Sequence, residues 1–226
     1  MKDKEYIRVL ILRTIGNFLV LGSLFLIAKT FYNPIKEEVR YNLDRFQKKQ
    51  YVVSTSAVKK TIPKGELAKY LAKGPVEIIT PEDPNFSIVV PKIAANARIL
   101  SNVSAVDENV YLEALKGGVA HASGTAFPGE GGHIYLFAHS TDYLWNVGSY
   151  NAVFYLLYKL KKDDEINVFY NGQRYVYRVI GNRVVDPSDV GYLTRKTNTE
   201  FLTLQTCWPP GTTLKRLLVF AVREAQ

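Results

Sequence analysis

Sulfur is nearly missing from this chain, which has one cysteine and one methionine among 226 residues. A lone Cys207 cannot build an internal disulfide framework or a thiol-rich zinc site. That leaves it three roles: a nucleophile, an intermolecular link, or a small buried hydrophobe. Histidine is also scarce, with only His121, His133 and His139. The glycines of "GVAHASGTAFPGEGG" (118–132) fit no P-loop spacing, and no lysine follows them, which argues against phosphate cradling. Zinc-finger spacing, RNA-binding signatures and basic helices with interleaved aromatics are all missing. The formal charge of +8 therefore gives little support to nucleic-acid binding and leaves an anionic membrane surface or envelope polymer as a partner. There is no internal repeat and no low-complexity tract.

The chain does have one long apolar run, "VLILRTIGNFLVLGSLFLIA" (9–28), enough residues to cross a hydrocarbon core as a helix. Arg13 lies near its N-terminal end, where its stem can snorkel to the headgroups. A cleaved signal peptide is the alternative, but the following "AKTFYNPIKEE" is charged and bulky, without a small-residue cleavage pattern. Basic residues flank the run on both sides, so charge alone does not set its orientation. Residues 1–8 are expected as a short cytoplasmic N-terminus and 9–28 as a transmembrane anchor. Residues 29–80, charged and then broken by Pro63 and Pro75, read as a stalk or linker. It holds one plausible helix in "EEVRYNLDRFQKKQ" and a second, short one in "GELAKYLAK".

From 81 to 226 the pattern changes to short apolar and alternating runs: "FSIVVPKI", "ARILSNVS", "HIYLFAH", "EINVFYN", "QRYVYRVIGNRVV", "FLTLQTC" and "RLLVFAVRE". Short strands at this density, separated by Gly, Pro, Asn and Asp, predict a mostly β domain, a closed or nearly closed barrel or a sandwich. Asn171-Gly172 has the chemistry of a type I′ hairpin turn. Helix is expected over "DENVYLEALKGG", ending at its glycine pair, and in "NAVFYLLYKL".

Cys207 stands where "FLTLQT" ends, before a Trp-Pro-Pro-Gly turn, a position from which its side chain can face solvent. A thiol becomes a useful nucleophile beside an imidazole, and acyl transfer also needs a donor for the oxyanion. His133 and His139 bracket one strand about 20 Å apart at roughly 3.3 Å per residue, so only one can meet Cys207. His139 ends its strand as Cys207 ends its own, and two parallel neighbouring strands would bring those ends together. Arg216 begins the next strand. If "FLTLQT" and "RLLVFAV" form a hairpin, its guanidinium lies beside the thiol, able to donate to a developing oxyanion and to favour the thiolate. The plainer readings are a surface histidine and an arginine paired with a rim carboxylate.

"TLQTC", followed nine positions later by the Arg of "RLLV", resembles the sortase signature Thr-Leu-x-Thr-Cys then Arg-Leu-hydrophobic-Val. "FAHS" takes the place of that family's Gly-His-Arg segment. The stretch "GGVAHASGTAFPGEGGHIYLFAH" is similar to the sequence leading into the sortase histidine, with its Gly-Thr-Ala-hydrophobic-Pro-Gly core. The likeness runs from about Phe86 to the C-terminus. It implies an eight-stranded sortase β-barrel with a few short helices, Cys207 as nucleophile, His139 as general acid and base, and Arg216 as stabiliser of the oxyanion or substrate. It also implies a site-shaping, substrate-binding role for Thr206 and a noncatalytic one for His121. Ala138, Ser140 and Trp208 depart from the common flanking residues. The short interval from Cys207 to Arg216 is more like classes D and E than A and B.

The resemblance further implies a transpeptidase that cleaves a C-terminal sorting motif of the Leu-Pro-x-Thr-Gly type through a thioester. The acyl group would pass to an amine of a cell-wall precursor or a pilin lysine. Such an enzyme would be held at the cell membrane by a single span, with its domain outside the cytoplasm and secreted proteins as partners. No cofactor is required. Some family members use calcium, but no acidic cluster in this sequence specifies one. Two rivals remain: a cysteine hydrolase on the same fold, and a noncatalytic membrane-anchored domain that binds envelope components.

Overall fold

A computed structural model describes residues 2–54, 74–140 and 152–224. It divides the chain into two compact units, Met1–Val39 and Arg40–Gln226. Helix α1 runs from Lys2 to Phe46. Within Glu5–Phe46 it is long and apolar enough to cross a membrane, with a mean hydropathy of 2.0 over its best window. Three of its hydroxyl residues fit an apolar setting because they bond within the helix. The hydroxyls of Thr14, Ser23 and Thr30 donate to the carbonyls of Leu10, Val20 and Leu26, which satisfies them without water.

The second unit begins at Arg40 rather than at residue 81. Tyr41 is only 5% exposed, and the Arg40 guanidinium donates to the Ile93 carbonyl at 3.0 Å. Strands β1 (Gln50–Val53) and β2 (Val76–Ile79) pair in parallel. One face of this ribbon sets Val53 and Ile79 against Val89 and Phe169. Part of the expected stalk is therefore packed structure; the short helix expected over "GELAKYLAK" lies outside the described residues.

Eight further strands close into a barrel. They are β3 (Phe86–Val90), β4 (Ala95–Val103), β5 (Val119–Ala122), β6 (His133–Phe137), β7 (Glu165–Tyr170), β8 (Gln173–Val185), β9 (Phe201–Trp208) and β10 (Lys215–Arg223). Their order around the barrel is β10-β8-β7-β3-β4-β5-β6-β9, with β9 pairing back to β10. The pairs β4–β5 and β6–β9 are parallel and the rest antiparallel. Ile88, Ile134, Leu136, Ile166, Leu202 and Leu204 are fully buried in the core, and their burial is the main favourable contribution to the fold.

Local chemistry explains the connections. Asn171 and Gly172 have φ of 49° and 76°, the left-handed pair of a type I′ turn between Tyr170 and Gln173. Parallel β4 and β5 need a crossover, supplied by α2 (Glu108–Lys116), whose N-terminus Asp107 caps by accepting from the backbone of Asn109 and Val110. The chain then turns at Gly118, with φ of +146°, where a Cβ would stand 2.5 Å from the Arg98 carbonyl oxygen. "NAVFYLLYKL" is not the expected α-helix. From Ala152 it is a run of turns with one 3-10 segment, Leu157–Lys159, and Phe154, Leu156, Leu157 and Leu160 are all buried. Burial on every side hides the periodicity that would separate helix from coil.

Two buried polar groups anchor the start of β9. Glu200 accepts from the Tyr177 hydroxyl, the Gly129 amide and Arg223 at 2.5, 3.1 and 3.1 Å. His133, 5% exposed, shares a 2.8 Å hydrogen bond with the Thr203 hydroxyl. Burial, with the Arg195 cation adding, holds the His133 imidazole at about 4, below its ordinary 6.5. Protonation therefore favours the unfolded chain. The contribution of His133 is complete above pH 6.5 and is lost as pH falls from there to about 4, a change of roughly 2 to 3 kcal/mol. Denaturant midpoints measured across this window should drop for the parent protein and drop less for His133→Asn.

Candidate active site

The parallel pairing of β6 with β9 sets the site. Its register holds one constant offset, from His133 opposite Phe201 to Phe137 opposite Gln205. The ladder continues one step further, since the Ala138 amide donates to the Gln205 carbonyl at 3.1 Å. The next step puts His139 level with Cys207. Across the other edge of β9, Cys207 is directly paired with Arg216 of antiparallel β10. Directly opposed residues in a sheet project from the same face, so the thiol and the guanidinium share one side. The registers thus set Cys207 directly opposite Arg216, with His139 two residues beyond the end of the neighbouring strand β6.

Thr206 differs from its expected role. It is 3% exposed, and its hydroxyl donates to the Ala138 carbonyl at 3.0 Å. A side chain turned to the opposite face from Cys207 and buried in this way is a poor substrate contact. It acts instead as a staple that fixes the backbone immediately before His139, worth about 1 kcal/mol. The alternation of a strand explains the difference: consecutive residues cannot both face the groove.

Cys207 is free and half-buried. Burial pushes its thiol up, with the Arg216 cation pulling the other way. Burial also pushes the His139 imidazole down. Both shifts favour the neutral thiol and neutral imidazole over the thiolate–imidazolium pair. The Arg216 guanidinium donates to the carbonyls of Thr213 and Lys215 at 3.1 and 3.2 Å, which leaves part of its five-donor fork for a ligand.

The other histidines are structural in geometry. His121 is fully buried on β5, a strand too short and small-residued to stand out from the Gly-rich stretch around it. Its ring lies 3.0 Å from both the Ala126 carbonyl and the Thr125 hydroxyl. His133 lies at the far end of β6. Among the described residues, no three His, Cys, Asp or Glu side chains gather as a metal site.

Further residues on this face of the sheet were not singled out from the sequence. Gln205 precedes Cys207 by two positions, and its Oε1 accepts from the Tyr135 hydroxyl at 2.5 Å. Tyr135 is buried, which raises its phenol well above the ordinary range, against the nearby Arg216 cation. The segment after β8 is held by Arg195, whose guanidinium lies 5.0 to 5.2 Å from the rings of Tyr192, Phe201 and Phe220. The two-residue alternation of β9 is the signal that points to Gln205. Nothing local points to Tyr135 or Arg195, whose roles depend on contacts distant in sequence.

Similarity to known proteins bears on the family and the fold. The family model described as the sortase domain matches residues 88–224. Sortase D of Bacillus subtilis (strain 168) is 27% identical over 137 residues, covering 59% of this chain and 61% of that protein. Sortase C-1 from Actinomyces oris superposes with a TM-score of 0.53 at 26% identity, covering 86% of this chain and 99% of that one. Sortase C1 of GBS Pilus Island 1 gives a TM-score of 0.52 at 26% identity, covering 62% and 64%. The chain therefore spans somewhat under two thirds of the Bacillus protein and of the GBS protein. With more than half of its residues matched by the domain model, and with the same eight-stranded closed barrel, the chain belongs to the sortase family.

Proposed function

We propose that this chain is a cysteine transpeptidase that cleaves a C-terminal sorting motif of the Leu-Pro-x-Thr-Gly type and passes the acyl group to an amine. The observation that carries the reading is the alignment of strand ends: the β6–β9 register brings His139 level with Cys207, and the β9–β10 register pairs Cys207 with Arg216. A nucleophile, a base and an oxyanion donor on one sheet edge are the parts that acyl transfer needs.

In the proposed reaction the Cys207 sulfur attacks the carbonyl carbon of the motif threonine while His139 takes the thiol proton. Arg216 donates to the carbonyl oxygen as it becomes an oxyanion. The C–N bond breaks as His139 returns the proton to the leaving amine, and a thioester remains. An incoming amine then attacks that thioester, loses a proton to His139, and expels the sulfur, which is reprotonated. The neutral resting pair suits this sequence, since the base acts as attack occurs rather than storing a thiolate. No step asks for a metal.

The apolar stretch of α1 is the proposed membrane anchor, with the barrel outside the cytoplasm where secreted precursors emerge. Cell-wall precursor amines and pilin lysines are the proposed acceptors. The test is to incubate the barrel unit with motif peptides and candidate amines and to weigh the products. An amide-linked product that disappears in Cys207→Ala supports transpeptidation. Released acid alone, with every amine refused, would make the enzyme a hydrolase.

A further inference from the structure

On β9 the side chains of Phe201, Thr203 and Gln205 share the face of Cys207, and Gln205 is the nearest of them to the nucleophile. It is two residues before Cys207, about 7 Å along the strand at roughly 3.3 Å per residue. Its cross-strand neighbours are Phe137 and Leu218, both buried and apolar. A polar side chain between two such neighbours needs a reason.

The hydrogen bonds supply part of one. Tyr135, 4% exposed, donates its hydroxyl to Gln205 Oε1 at 2.5 Å. That bond uses the carboxamide oxygen and fixes the plane of the group. The amide nitrogen has two N–H donors, and neither is bonded to any described residue. Gln205 is half-buried, so the nitrogen is pre-aimed and only partly hydrated. A fixed donor of this kind discriminates well between ligands that can accept from it and ligands that cannot.

We propose that Gln205 is a specificity-determining residue. Its carboxamide N–H donates to a carbonyl oxygen of the bound peptide about two residues from the scissile bond, on the acyl side. An extended peptide advances about 3.3 Å per residue, so a carbonyl two residues away reaches Gln205 when the scissile carbonyl is at Cys207. The acyl side is favoured chemically because it stays bound through both half-reactions, whereas the leaving amine departs after the first. Tyr135 is then a positioning residue: it touches no substrate and holds the carboxamide in its donating orientation. The inference rests on the transpeptidase reading given above.

The test uses the parent enzyme with Gln205→Glu, Gln205→Met, Tyr135→Phe and the Tyr135→Phe/Gln205→Met double variant. Two peptides of one sequence are compared, differing only in a thioamide, a weaker acceptor, at the candidate position. Thioester formation on Cys207 is followed by intact mass. Gln205→Glu keeps the volume and the acceptor for Tyr135 but removes the donor. It should lose about tenfold in kcat/KM on the ordinary peptide, as expected for one lost hydrogen bond at a fixed site. The parent should disfavour the thioamide peptide by a similar factor. Gln205→Met should treat the two peptides alike, and Tyr135→Phe should cost less than tenfold and add nothing in the double variant. Retained kcat/KM and an unchanged peptide ratio in Gln205→Glu and Gln205→Met would overturn the inference alone. A parent enzyme that forms no adduct with any peptide would overturn the transpeptidase reading and this inference together.

Discussion

His139→Ala is expected to lower kcat/KM for peptide cleavage by roughly 10³-fold, the scale of a lost general acid–base catalyst. It should leave alkylation of Cys207 by iodoacetamide at about pH 9.5 nearly unchanged. The reasoning starts from protonation. Burial raises the Cys207 thiol and lowers the His139 imidazole, so at neutral pH both groups are mainly uncharged and the thiol depends on a base when it attacks. A small alkylating reagent at high pH meets a thiolate made by hydroxide and needs no imidazole, whereas a peptide also needs the proton delivered to its leaving amine. If alkylation and cleavage fell together, His139 would be supporting the fold of the site and not its proton transfers. Stopped-time assays on peptide and reagent, at matched pH, separate the two.

Arg216 carries the second large effect. Its substitution by alanine should cost roughly 10² to 10³ in kcat, the range for removing an oxyanion donor, and should also slow Cys207 alkylation at neutral pH. The second effect follows because the guanidinium is what opposes burial at the thiol. Without it the thiol rises further, the thiolate fraction at pH 7 shrinks, and the alkylation curve moves to higher pH. Arg216→Lys keeps a cation and discards the planar fork. It should restore most of the alkylation rate but little of the peptide turnover. Recovery of both would assign Arg216 to simple electrostatics, and recovery of neither would point to distortion of the β9–β10 hairpin.

The strand ends that carry the candidate residues are legible in the sequence because turn chemistry marks them. Cys207 before Trp-Pro-Pro-Gly, Arg216 after it, and His139 closing "HIYLFAH" needed only the right partners, which β6–β9 and β9–β10 supply. The Asn171-Gly172 turn and the Asp107-capped helix were equally plain, each fixed by its own residues. What stayed hidden depends on distant contacts. β1 and β2 are four residues each in a charged, proline-broken region, and they are strands because each pairs with the other and packs on Val89 and Phe169. β5 is concealed by the glycines around it. For Thr206 the motif gives order along the chain and not the face on which the side chain lies, so its bond to Ala138 is not legible there. Gln205 was overlooked for the same reason, since its significance comes from Tyr135, seventy positions away.

The most direct test of the central claim is to trap the acyl-enzyme. The barrel unit would be mixed with a Leu-Pro-x-Thr-Gly-type peptide in the absence of any amine acceptor, quenched in acid, and weighed intact, with Cys207→Ala alongside. The account predicts a mass increase equal to the peptide's acyl portion, located on Cys207, removed by hydroxylamine and absent from the variant. An intact enzyme mass with every motif peptide, from a protein whose Cys207 still alkylates, would contradict it.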